Sequence, residues 1–265
     1  MGLCGLALAI QPGYYSEENL FGMFACYFDS SKQGNEQVLS VAGFISSVHL
    51  WNSVFDPAWR SYLRQNGLDG FHMKDFAHSR KGYERFRGNN ALRDEFMAGA
   101  LHIIKQTVQY GIGRVIPKRE FDIANQTYKL KESGVNRFCL AGLECMFAAR
   151  RLARRREQIE FVFHEGDKGF GKLRELAHRN DLPTPIDRPD KDRRGVRGFV
   201  QIQAADLVAY ELARENLDND GSAYRSWRKS FQSLARIDNT WEVLRARDLK
   251  DFCVREGIPA RSRLA

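Results

Sequence analysis

The chain has 265 residues, 43% of them hydrophobic and 28% charged. Such a length and balance suit a globular chain with a sizeable core; with 7 Pro and no glycine period, disordered, collagen-like and low-complexity classes are excluded. Lys and Arg number 41 against 33 Asp and Glu, a formal charge of +8, which favours a polyanionic partner such as DNA or RNA without bearing on the fold.

Residues 1–20 are predicted to form a loosely tied arm. The apolar run at 3–10 is short, broken by glycine and without a Lys or Arg flank, so it makes a poor signal peptide. Leu6 departs from the myristoylation pattern. No run approaches the roughly 20 apolar residues of a membrane helix, so no membrane partner is expected. Residues 24–29 and 37–45 read as strands that pair antiparallel through a turn at 30–36. Leu50, Val54, Trp59 and Leu63 recur at near-helical spacing, with Pro57 as a break or helix start. A loop dense in His, Lys, Arg and aromatics fills 71–88. Helix is predicted at 91–110, strand at 111–117, a long helix at 136–156, a buried strand at 159–164 and a short helix at 171–178. A Pro-, Asp- and Arg-rich loop spans 181–195; strand 198–202 then runs into helix 203–216, and 222–265 reads as short helices. The five Cys are an odd count with no C-x-x-C pair, which implies a reducing cytoplasm rather than a disulfide framework or structural zinc. The expected architecture is one α/β domain over 21–220 with a mixed central sheet flanked by helices, a helical insertion at about 46–110 and a helical C-terminal extension at 221–265.

Four carboxylates stand in apolar surroundings. Asp29 closes the first strand, Glu165 follows the strand at 159–164, Asp206 begins an apolar helix, and Glu144 is the one charged residue between Phe138 and Ala149. A buried carboxylate is costly unless paired, protonated or bound to metal. Strands ending side by side would bring Asp29 and Glu165 to one sheet edge, with Asp206 on a helix above it. Such hard oxygen ligands suit Mg²⁺ or Mn²⁺, and two such ions can activate water and stabilise the leaving oxygen in phosphodiester cleavage. Each acid also has a plain structural reading: Asp29 as a turn former, Glu165 as a solvated strand end, Asp206 satisfied at a helix N-terminus, Glu144 facing solvent or paired with an Arg of the next turn. Asp167, two residues beyond Glu165, is an alternative to it.

These elements resemble the bacterial domain-of-unknown-function 3800 family, regarded as RNase H-like. The resemblance rests on Phe28-Asp29-Ser30-Ser31, Val41-Ala42-Gly43-Phe44, Phe71-His72-Met73-Lys74-Asp75-Phe76, His164-Glu165-Gly166-Asp167 and the helix from Gln201 through Gln203 and Asp206 to Tyr210. It covers about residues 24–216, and the closing helix is its most specific part. It implies an RNase H-like sheet in which the first and fourth strands are parallel neighbours. It also implies acids around divalent metal: Asp29, Glu165 and Asp206 as ligands, with Glu144 on the helix before the fourth strand assisting. The chain departs from the usual Asp-Glu-Ser-Gly or Asp-Asp-Ser-Gly opening, having Ser30 where the second acid stands, so if that acid helps to hold metal the site here is weaker or relies on Glu144.

The same resemblance raises His72 above the other histidines as a proton carrier or phosphate contact, beside Lys74. His164 is expected on the opposite side of its strand from Glu165. The run from Gly166 to Lys172 has phosphate-loop spacing, but Leu173 stands where a hydroxyl is needed. Its Lys168 and Lys172, with Arg193 and Arg194 of the basic 188–197 loop, are candidate contacts to a nucleic-acid backbone; a second basic cluster lies at 150–156. The expectation is a metal-dependent nuclease using Mg²⁺ or Mn²⁺ in a carboxylate-bound two-metal mechanism. The competing readings are a nucleic-acid or protein binding module with an impaired metal site and, third, a nucleotide-handling enzyme built on the glycine loop.

Overall fold

The computed structural model describes residues 23–33, 35–153, 157–189, 198–218 and 228–261. The predicted arm, Arg193 and Arg194, and the basic residues at 154–156 lie outside them.

The elements run in the following order: β1 (Met23–Gln33), β2 (Val38–Ser47), α1 (Asp56–Gln65), α2 (Met73–Ala77), α3 (Asn90–Thr107), β3 (Tyr110–Pro117), α4 (Lys118–Thr127), α5 (Arg137–Leu152), β4 (Gln158–His164), α6 (Phe170–Arg179), β5 (Ile186–Arg188), α7 (Val200–Asp218), α8 (Lys229–Leu234), β6 (Asn239–Val243) and α9 (Ala246–Arg255). One six-stranded sheet has the order β5-β4-β1-β2-β3-β6. Strands β1, β2 and β3 pair antiparallel, while β4 pairs parallel with β1, β5 with β4 and β6 with β3. The chain is thus an α/β protein with a mixed sheet and helices on both faces.

Alternation of side chains along the strands divides the core in two. On one face Ala25, Tyr27, Ala42, Phe44 and Val162 pack with Leu207 and Val208 of α7. On the other, Cys26, Phe28, Val41, Phe161 and Phe163 pack with Leu140, Leu143 and Met146 of α5. Central strands sealed on both faces read as apolar runs, which is why β2 is buried at every position. Strands β1 and β2 come so close at Gly43 that an added Cβ would meet Tyr27 O at 1.7 Å.

The insertion leans on the α7 face. A helical turn at Val48–Leu50 passes through the π-helical Trp51–Phe55 into α1, with Pro57 in its first turn, where its missing N–H costs nothing. An aromatic chain then leads away from the sheet: Tyr27 to Trp51 (5.2 Å between ring centres), Trp51 to Phe55 (5.0 Å), Phe55 to Trp59 (5.2 Å) and Trp59 to Phe71 (5.9 Å). Each such pair contributes about 0.5–1.5 kcal/mol beyond its buried area, so the segment beginning at Phe71 is fixed to the core.

Several segments depart from the sequence reading. Residues 198–202 were expected to be a strand, but α7 begins at Val200 and Val200 and Ile202 are buried from a helix. Within the predicted loop 181–195 the chain makes the short β5, and β6 joins the sheet from what reads as an all-helical extension. Helix α4 carries no signal beyond Phe121 and Ala124, its two buried residues. Among the described residues no helix is long and apolar enough to cross a membrane.

Candidate functional site

Asp29 is 6% exposed and lies one residue past the last β1–β4 pair, Phe28 with Phe163. By parity it shares the α7 face with Ala25 and Tyr27. Continuing the parallel register brings His164 opposite it, and His164 Nδ1 lies 3.2 Å from Asp29 Oδ1. The same oxygen accepts from the Ser30 N–H at 2.7 Å. His164 does point away from Glu165, as alternation requires, and for that reason it meets Asp29.

Glu165 does not join Asp29. Strand β4 ends at His164, and Glu165 is exposed in a turn completed by Gly166 at φ +99°; its backbone N–H donates to Arg188 O at 3.0 Å. The turn returns Asp167 instead, whose Oδ1 accepts from Ser30 Oγ at 2.7 Å. Burial pushes the Asp167 carboxyl above its ordinary range. The Ser30 hydrogen bond opposes the shift, and the negative charge of Asp29 adds to it. Of the two acids weighed for this loop, Asp167 is the one brought to Asp29, and Ser30 links them.

Asp206 is 7% exposed on α7, over the face that Asp29 occupies. Tyr27 packs against Phe199 just before α7, and Ser40 Oγ donates to Ala209 O at 2.6 Å. Helix α7 thus runs from over β1 at Tyr27 to over β2 at Ser40, and Asp206 lies between those two anchors along the helix. Its Oδ2 accepts from the Met73 N–H at 2.6 Å. One turn earlier, Gln203 Oε1 accepts from both the Phe71 N–H and Trp59 Nε1, each at 2.9 Å. The two side chains hold the Phe71–Asp75 motif against α7.

His72 immediately precedes the amide that Asp206 holds. Its backbone N–H donates to Tyr83 Oη at 3.1 Å, and its ring, 46% exposed, has Nδ1 3.1 Å from Asp75 Oδ2. Burial tends to raise the Asp75 carboxyl, but Lys81 and His72 outweigh it and hold the group below its ordinary range. Lys74 and Lys168 are exposed. Lys172 is engaged by Glu175 at 2.8 and 3.0 Å, and Leu173, at the position where a phosphate loop needs a hydroxyl, is fully buried.

Glu144 lies elsewhere. It projects from α5 on the opposite side of the sheet and forms an ion pair with Arg255 of α9 at 2.5 Å. The α5 position expected to assist the metal therefore belongs to a helix–helix contact, and its partner is Arg255 rather than an Arg of the next turn. Among the described residues no group of three or more His, Cys, Asp or Glu side chains is gathered as a metal cage.

The residues that sequence reasoning missed are His164, set aside because it alternates with Glu165, and Gln203, whose shared acceptor no local pattern marks. The parity of β4 set against β1 was the available signal for His164. Comparison with family models, with curated proteins and with solved structures finds no match to this chain.

Proposed function

We propose that this chain is a metal-dependent nuclease that hydrolyses phosphodiester bonds in nucleic acid on an RNase H-like sheet. The observation that carries the reading is the end of the parallel β1–β4 pair, where His164 meets Asp29 and Asp167 is tied to the neighbouring Ser30, while Asp206 lies on the helix packed over the face that Asp29 shares. Asp29 is buried at the end of β1 and Asp167 half-buried in the turn after β4, its carboxyl raised by burial and by the charge of Asp29; a nearby divalent cation would relieve that cost. The RNase H-like reading implies that the first and fourth strands are parallel neighbours, and the β1–β4 pairing supports it. The net charge of +8 supports a polyanionic substrate.

In this reading Asp29, Asp167 and Asp206 hold Mg²⁺ or Mn²⁺, with Asp167 taking the role first expected of Glu165. When bound, such a cation would supply a water nucleophile at neutral pH and positive charge opposite the reacting phosphate. His164 orients the Asp29 carboxylate through Oδ1. His72 stands at the solvent side with its ring set by Asp75, able to pass a proton to the departing oxygen. Lys74 and Lys168 place the phosphate backbone as exposed point charges. Attack by water at phosphorus breaks one P–O bond and leaves a phosphate monoester and a hydroxyl, with one proton going to the leaving oxygen.

A second reading, a binding module without hydrolysis, is favoured by one specific observation: Asp29 Oδ1 and Asp206 Oδ2 already accept hydrogen bonds from the protein. One experiment separates the two. Labelled DNA and RNA strands are incubated with Mn²⁺ and wild type, Asp29→Asn or Asp206→Asn, and Mn²⁺ binding is followed by calorimetry. The nuclease reading expects cleavage that each substitution lowers by about a hundredfold or more while circular dichroism stays unchanged. Wild type that neither cleaves nor binds Mn²⁺ overturns it in favour of the module.

A further inference from the structure

Residues 71–93 carry six basic side chains, Lys74, Arg80, Lys81, Arg85, Arg87 and Arg93, against two acids, Asp75 and Glu84. Their net +4 is half the formal charge of the chain, held in 23 of its 265 residues. Two of the six are used inside the insertion. Arg93 lies 4.6 Å from the Phe76 ring centre and donates to Phe76 O and Ser79 Oγ at 3.1 and 2.9 Å. Arg85 lies 4.6 Å from the Phe86 ring centre and donates to Asn66 Oδ1 at 3.1 Å. The other four cluster round α2. The Arg80 N–H donates to Asp75 O at 3.0 Å, Lys81 Nζ lies 3.3 Å from Asp75 Oδ2, and Arg87 Nη2 donates to Ser79 O at 3.4 Å. All four are exposed, and Lys74, Arg80 and Arg87 have no carboxylate partner among the described residues. The patch has a fixed shape: beneath it Phe76, Phe86 and Phe96 meet pair by pair at 5.2 Å, and Ser79, Lys81 and Gly82 turn the chain at φ +50°, +52° and +94°. Helix α2 has five residues, a length of about 7 Å, and starts at Met73, whose N–H Asp206 holds. Like charges ordered so closely repel one another, a cost that an anionic partner would offset.

We propose that this patch holds the sugar–phosphate backbone of a double-helical nucleic acid beside the carboxylates. Phe71, Phe76, Tyr83 and Phe86 are at most 3% exposed, so bases find no broad aromatic platform here, the common grip on a single strand. The exposed rings of the segment are the imidazoles of His72 and His78. Contact is left to phosphates, whose charge is densest along a duplex. An anionic membrane calls for exposed apolar side chains that enter it, and a protein partner for an apolar centre to the interface. Among the described residues the large exposed hydrophobics are Val54, Tyr110 and Val254, all outside this segment. The placement of the duplex beside the site rests on the nuclease reading, whereas the grip on the backbone does not.

The test is fluorescence anisotropy of the whole protein in EDTA, across a salt series, with labelled DNA, RNA and hybrid duplexes and their single strands. At least one duplex is expected to bind about tenfold or more tighter than either of its strands, with little dependence on sequence. Arg80→Gln combined with Arg87→Gln should weaken that binding and lower the slope of log affinity against log salt by about 2, and Lys74→Gln alone should lower it by about 1. Arg174→Gln combined with Arg247→Gln, exposed positions on α6 and α9 across the sheet, should leave the slope unchanged. No duplex binding, single strands that bind as tightly as the duplex, a slope that survives the patch substitutions, or an equal fall in the α6 and α9 variant overturns the proposal. So does better competition by polyglutamate or by phosphatidylserine vesicles than by unlabelled duplex. Asp29→Asn should keep duplex binding in EDTA. Duplex binding by wild type that never cleaves with Mn²⁺ upholds the patch while the nuclease reading falls, and cleavage confined to single strands does the reverse.

Discussion

Removal of the Gln203 side-chain oxygen is expected to unfasten the Phe71–Ala77 segment from the sheet domain. That oxygen is the shared acceptor for Trp59 Nε1 and the Phe71 N–H, both at 2.9 Å, and Gln203, Trp59 and Phe71 are 2%, 0% and 1% exposed. Two buried donors left without a partner cost about 1–3 kcal/mol each, or about 2–6 kcal/mol together. A domain is stable by only about 5–15 kcal/mol, so the loss is large. Gln203→Met keeps most of the volume and removes the acceptor, which isolates the hydrogen-bond contribution from cavity formation; Gln203→Ala adds the cavity and should cost more. Guanidinium unfolding gives the stability change, and hydrogen exchange at the Phe71 and Met73 amides shows where it is felt. A Gln203→Met variant within about 1 kcal/mol of wild type, with those amides still protected, would refute the claim that α7 holds the motif through this side chain.

Other outcomes follow from the same geometry. The Asp167 carboxyl is raised in the folded state, so its contribution to stability is fully present below the unfolded carboxyl range and is lost as pH rises through its folded value. Asp167→Asn keeps an acceptor for Ser30 and should melt higher than wild type near pH 7, the difference closing at about pH 3; an equal or lower melting temperature at neutral pH contradicts this. Gly43→Ala forces a methyl to within 1.7 Å of Tyr27 O and 2.7 Å of its carbonyl carbon, atoms that move only if β1 and β2 part. It should cost about 3 kcal/mol or more, or abolish folding, as read by urea titration. Glu144→Gln breaks a partly exposed ion pair with Arg255 and should cost at most about 1 kcal/mol. Any cleavage activity should stay within about twofold, and a larger fall would return Glu144 to the site.

The sheet was legible where local pattern sufficed. Strands β1 to β4 are apolar runs bounded by turn formers, and Asp29 stands out because an acid at the end of such a run is physically conspicuous. The rest depended on distant partners. Helix α7 and a strand both suit the run from Gly198 to Ile202, and only packing against Tyr27 and Trp51 decides between them. Strand β6 exists because β3 offers it an edge. Glu165 and Asp167 share strand parity, so choosing between them required knowing that β4 stops at His164 and that the Gly166 turn brings the chain back. The partner of Glu144 lies 111 residues further along the chain, and nothing in the 138–149 run says which neighbour its exposed flank will meet.

The Asp206 carboxylate serves as the peg on which the Met73 amide hangs. Any cation that recruits this carboxylate must share it with that amide, and linkage works in both directions. If such a cation bound, the hold on Met73 and the hold on the cation would be coupled through this one carboxyl group.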